Sequence, residues 1–301
     1  MNKTHQLAYF LLTLMAFFLA CNHIVGRFVH TEIPPIGLSF WRWFFAAVIL
    51  FPFVIRGKRT VHQLFVHNAG KLMLLGTLIV GATTLILIAL NSSSAINISI
   101  INSFQPVLTI IFTRLFLKQK LAAIQLTGIL LSCLGVLVMI SNGQLDILVS
   151  LQFNQGDLIA LLAMCGFAGY AINVYRIPEE LNVVESLFGI IVSGCIVLLP
   201  FYLLESFFYK PVPLSLTTLW AIPVLALLVS VFSMLIWNFG NRTVGPERAT
   251  VFINLIPVFG IILATTLRGE QLFLSHIIGA ICIFFGVACV IRNRFVADLH
   301  K

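Results

Sequence analysis

The chain has 301 residues, 60% of them hydrophobic and 9% charged, with a mean hydropathy of +1.06 and a formal net charge of +8. A water-soluble domain of this length could not carry such a surface, so the chain reads as a membrane protein that crosses the bilayer many times. The basic excess needs no nucleic acid as a partner, because anionic lipid at the inner membrane surface attracts it equally well.

A hydrocarbon core about 30 Å thick takes roughly 20 helical residues. Ten such spans are predicted, over residues 7–28, 34–55, 72–91, 94–116, 123–141, 157–175, 183–204, 217–239, 249–267 and 272–291. Their apolar runs lack the alternation of a barrel strand, and backbone groups in lipid must be satisfied within each span, so the fold class is all-α.

Along the first span, Lys3, an apolar run and Phe18-Leu19-Ala20-Cys21 resemble a cleaved signal. Retention is expected, because cleavage would leave four spans in one half of the chain and five in the other. Asn22 and His23 lie toward its outer end, where they could line a cavity or bond to neighbouring helices. The second span carries Trp41-Arg42-Trp43. Arg42 would cost at least about 2.5 kcal/mol facing lipid, so it faces the protein interior, or else it snorkels outward as an anchor between two interface tryptophans. Residues 57–70 read as an amphipathic segment on the inner surface. In the fourth span Asn102 and Ser103 precede Pro106 by about one turn, and in the ninth Asn254 precedes Pro257 similarly. Each proline removes a backbone hydrogen bond near mid-membrane and frees the carbonyl four residues earlier, that of Asn102 or Ile253. In the sixth span Tyr170 and Asn173 share a face, and Trp237, Asn238 and Asn241 mark the inner end of the eighth. Any of these could contact a solute or serve to hold helices together.

Residues 102–140 match residues 253–291 without a gap at a constant offset of 151. The pairs Pro106/Pro257, Gly128/Gly279 and Gly135/Gly286 carry the match, because proline and glycine fix backbone geometry where aliphatic identities only fill apolar surface. Two units follow, residues 1–150 and 151–301, within one membrane domain. With five spans each, the second enters the bilayer upside down relative to the first. Gly128 and Gly135, like Gly279 and Gly286, lie on one helix face and permit close approach of a neighbouring helix, within the monomer or in a homodimer.

Placing both termini in the cytoplasm leaves only Arg27, Lys210 and Arg268 outside and Arg42 within a span, so 14 of the 18 basic residues fall inside. No carboxylate is expected at mid-membrane, which leaves a proton relay through a buried acid unsupported. The six cysteines all fall in apolar spans and read as packing residues, without a metal site or disulfide. A membrane-embedded lipid-group transferase is the rival reading. The chain holds no HExxH, GxSxG, P-loop or paired aspartates, so neither an enzyme nor a cofactor is expected.

His23-Ile24-Val25-Gly26-Arg27, Pro34-Pro35 and Arg42, together with Leu267-Arg268-Gly269-Glu270-Gln271-Leu272 leading to Gly279 and Gly286, resemble EamA-type members of the drug/metabolite transporter superfamily. The resemblance spans the chain. It departs at Lys118-Gln119-Lys120, where the family usually has Gly-Glu, and at Cys21-Asn22 in place of Trp-Gly. It implies ten helices in two inverted fives. It also implies export of amino acids or related small metabolites across a bacterial inner membrane, with uptake or exchange as the alternative. The substrate-binding residues expected are Asn22, His23, Arg42, Asn102, Ser103, Pro106, Tyr170, Asn173, Trp237, Asn254 and Pro257. The expected partners are a small-molecule substrate and membrane lipid.

Overall fold

The computed structural model describes residues 3–29, 33–56, 61–118, 122–149, 153–177, 181–268 and 271–292. Within them the secondary structure is helical, with no strand. Ten helices are long and apolar enough to cross a membrane: Lys3–Cys21, Pro35–Ile55, Asn68–Ala89, Ile96–Leu117, Ala123–Ile140, Gln155–Tyr175, Val183–Phe208, Leu216–Val244, Pro246–Thr266 and Leu274–Ile291. They are called the first to tenth spans below.

The helix starts are set by local polar chemistry. Asn154 accepts from the Asp157 amide at 3.1 Å while Asp157 accepts from the Asn154 amide at 3.0 Å, a reciprocal cap that opens the sixth span. Asn182 caps the seventh span on the Glu185 amide, and Ser215 caps the eighth on that of Thr218. A cap on the second span comes from the other half of the chain. Glu205 accepts from the backbone amides of Ile36 at 3.1 Å and Gly37 at 2.6 Å, so its charge sits at the positive end of that helix.

Of residues 57–70, 57–60 lie outside the described residues and the remainder departs from expectation. Helix Val61–Ala89 runs unbroken through Gly70 into the third span, so this stretch extends a membrane helix instead of forming a separate surface segment. The eighth span also runs past its expected end, to Val244, with a π-helical stretch over Ala226–Ser233.

The neighbours show the symmetry of the repeat. The first span packs against the eighth and ninth, as the sixth packs against the third and fourth, and the second meets the eighth as the seventh meets the third. The fifth and tenth spans form the closest pair. A methyl group on Gly128 would lie 2.6 Å from the Gly286 carbonyl, and one on Gly286 would overlap that of Gly128. The same crossed relation joins Gly135 to Gly279. Small residues let two backbones touch here, and the contact lies within the chain.

The largest core cluster draws on both halves, including Leu12, Met15, Leu72, Leu75, Leu187, Ile190, Phe252 and Val258. Phe10, Leu134, Phe201 and Phe285 stay exposed, as suits a surface solvated by lipid tails.

Candidate functional site

Both prolines break their helices. The fourth span stops as α-helix at Ser103 and restarts at Gln105, and the ninth tightens into a 3₁₀ turn over Val251–Leu255 before Pro257. The carbonyls expected to be left open are instead recovered locally. The Phe104 amide turns back on Ile101 and Asn102, and the Ile256 amide bonds the Ile253 carbonyl through the tighter turn. The Ser103 carbonyl receives the thiol of Cys133 from the fifth span at 3.0 Å. The unmet polar capacity at the breaks therefore lies in side chains.

Between the breaks is a cavity of about 50 Å³ lined by Ser99, Asn102, Ser103, Val136, Ile253, Asn254, Ile256 and Pro257. Its walls come from the fourth and fifth spans of the first half and the ninth of the second. Asn254 is 1% exposed and donates its amide N–H to Ser132 Oγ at 2.8 Å, bridging the halves. Its Oδ1 is buried without a partner, and so is Oδ1 of Asn102. Two carbonyl acceptors thus belong to residues that wall one small cavity, with no donor to meet them. An unpaired buried acceptor is costly, so a donor, from water or a bound solute, has a place here.

The other expected site residues are distributed differently. Pro106 is buried beside the break in the fourth span. Tyr170 is fully buried and donates to Asn238 Oδ1 at 2.7 Å, tying the sixth span to the eighth, and Asn173 donates to the Gly169 carbonyl of its own helix at 2.8 Å. Trp237 is buried in the main core cluster. None of these four lines the cavity. Asn22 and His23 lie on the first helix, but their side chains are outside the described residues.

Arg42 is 6% exposed, within the protein. The expectation of an interface tryptophan fails at Trp43. Trp41 donates to Tyr202 at 3.1 Å at a half-buried position, whereas Trp43 is 1% exposed and donates to Thr83 Oγ1 at 3.1 Å. Trp43 is therefore a core residue. Ser132 is not among the expected site residues, and Cys133, expected only to pack, donates at the break; repeat pairing signals neither, since the offset places Ile283 and Phe284 opposite them.

Two halves of similar sequence, with broken helices meeting at a polar cavity in an apolar bundle, are matched by a known family. The model of the EamA-like transporter family fits residues 6–141 and again residues 154–292. The chain belongs to the EamA-like transporter family. This membrane transporter is 27% identical over 287 residues to the uncharacterized transporter YyaM of Bacillus subtilis strain 168, covering 94% of this chain and 93% of that one. It is 26% identical over 290 residues to an uncharacterized transporter of Archaeoglobus fulgidus, covering 95% and 96%. A solved structure described as "Crystal structure of protein" superposes over 100% of both chains with a TM-score of 0.74 at 15% identity, a likeness of fold.

Proposed function

We propose that this EamA-like transporter is a secondary carrier that exports amino acids or related small metabolites across the bacterial inner membrane by alternating access. The observation that carries the reading is the pair of unpartnered amide oxygens, Asn102 Oδ1 and Asn254 Oδ1, at a cavity walled by both halves. A solute bearing N–H donors, such as an ammonium group, meets both. About 50 Å³ holds one such group and not a whole metabolite, so the solute enters as one repeat rocks away from the other. Membership of the family supports transport, and the basic residues gathered toward one side support a cytoplasmic location for both termini.

The test is counterflow of labelled amino acids and metabolites in reconstituted vesicles. The wild-type protein exchanges at least one of them above protein-free vesicles. Asn102→Ala and Asn254→Ala each depress that exchange about tenfold, with insertion and thermal stability kept. Exchange unchanged in both variants would remove these residues from the site, and no exchange of any compound by the wild type would overturn the substrate class.

A further inference from the structure

The second span buries a cation that no described residue neutralises by an ion pair. Among the described residues Arg42 has no ion pair, and its Nε and Nη2 atoms are buried without a hydrogen-bond partner. The Trp43 ring answers its charge in part, with its centroid 5.4 Å from the guanidinium carbon. Nε–H and the adjacent Nη2–H share one edge of the guanidinium plane and form a two-pronged donor fork that matches the two oxygens of a carboxylate.

Helix geometry places this side chain inside the bundle. Leu38 packs with Ala221, Ile222 and Leu225 of the eighth span, so its direction on the second helix faces that span. Ser39 Oγ lies 2.7 Å from Thr84 Oγ1 of the third span, so its direction faces there. At roughly 100° per residue, Arg42 lies about 40° from Leu38 and about 60° from Ser39. It therefore leaves the second helix between the third and eighth spans. These two spans occupy equivalent places in the two repeats.

A structural anchor would show partners, and this fork has none among the described residues. Snorkelling to the surface would show exposure, and the side chain is 6% exposed. A buried guanidinium with an open bidentate edge is stable when an anion fills that edge. We infer that Arg42 is the anion subsite of the transport pathway and that the transported solute carries a carboxylate, which docks side-on to Nε and Nη2. The inference rests on the transporter reading and adds a second charge to it. Arg42 lies outside the lining of the asparagine cavity, so its fork defines an acid group on the solute and not that group's distance from the amide oxygens.

Binding is measured apart from transport, by thermal unfolding of the purified full chain in detergent. The probes are L-amino acids and 2-oxo acids, each beside its amide, at constant chloride. At least one acid raises the unfolding temperature, and its amide requires at least about tenfold more ligand for the same shift, the size expected for losing a charge-assisted bidentate contact. Arg42→Gln abolishes the difference between acid and amide, and Arg42→Lys weakens it without abolishing it, because the charge stays and the fork is lost. Both variants unfold without ligand at the wild-type temperature or above, since no ion pair is broken. A wild-type protein shifted equally by acids and amides, or by neither, overturns the subsite. So does an acid preference that survives in Arg42→Gln, or a shift from chloride alone as large as that from the acids. Counterflow of acids and amides at equal rates would sink the subsite and leave the transporter standing, whereas an absence of counterflow for every probe would sink the transporter reading.

Discussion

At the residue scale, polar side chains in the bundle divide into those that close their hydrogen bonds within the protein and those that do not. Trp43 is of the first kind. Trp43→Phe removes one bond while Thr83 keeps its bonds to the Ile79 and Val80 carbonyls, so a stability loss of about 1 kcal/mol is expected, read as a lower unfolding temperature. Asn254 is of both kinds, satisfied through its N–H and open at Oδ1. Asn254→Ala leaves Ser132 Oγ bonded to the Ile129 carbonyl, so the expected stability cost is small, of the order of 0.6 kcal/mol for a bond between membrane helices, against a tenfold loss of exchange. A stability loss several times larger would mark it as glue. The polarity of Asn254 and Arg42 was legible because lipid tolerates such residues poorly. The placement of Trp43 was not, because proximity to a span end is shared by Trp41 and Trp43 while helical rotation sends them to different neighbours.

At the scale of the elements, helix ends follow signals written in the chain, as in Asn154 with Asp157, Asn182 with Glu185 and Ser215 with Thr218. The Glu205 cap is different. Its partners lie 168 and 169 residues away, and no local pattern announces them. Glu205→Ala uncovers two amides at the positive end of the second span and is expected to cost about 1–2 kcal/mol, with Glu205→Gln recovering part of it; thermal unfolding checks both. The prolines foretold the breaks but not their repair, since recovery of the Ile253 carbonyl depends on a 3₁₀ turn that costs little to form. The crossed glycines predict non-additivity. Gly128→Ala and Gly286→Ala each force the fifth and tenth spans apart, at about 1–3 kcal/mol, and the double variant costs clearly less than the sum, because the first substitution already makes the space that the second needs. Additive losses in a thermal denaturation series would show that the two sites do not share one contact.

At the scale of the molecule, the constant offset of 151 residues made the architecture readable, because an odd number of spans in each copy forces inversion. The crossed Gly128–Gly286 and Gly135–Gly279 contacts and the exchanged neighbours of the first and sixth spans are what a two-fold axis between such copies produces. The cavity was harder to read from the chain, since one of its walls comes from the fifth span through Val136, and the Ser132 that holds Asn254 has an aliphatic counterpart in the other repeat. The central claim is inversion of the repeats about a shared site, and labelling of single cysteines in a chain freed of its six native ones tests it most directly. Gln144→Cys, Leu214→Cys and Gly269→Cys should react with a membrane-impermeant maleimide in intact cells, and Lys118→Cys and Arg176→Cys only after permeabilisation. Reaction of Lys118→Cys and of its repeat counterpart Gly269→Cys from the same side of the membrane would contradict the account.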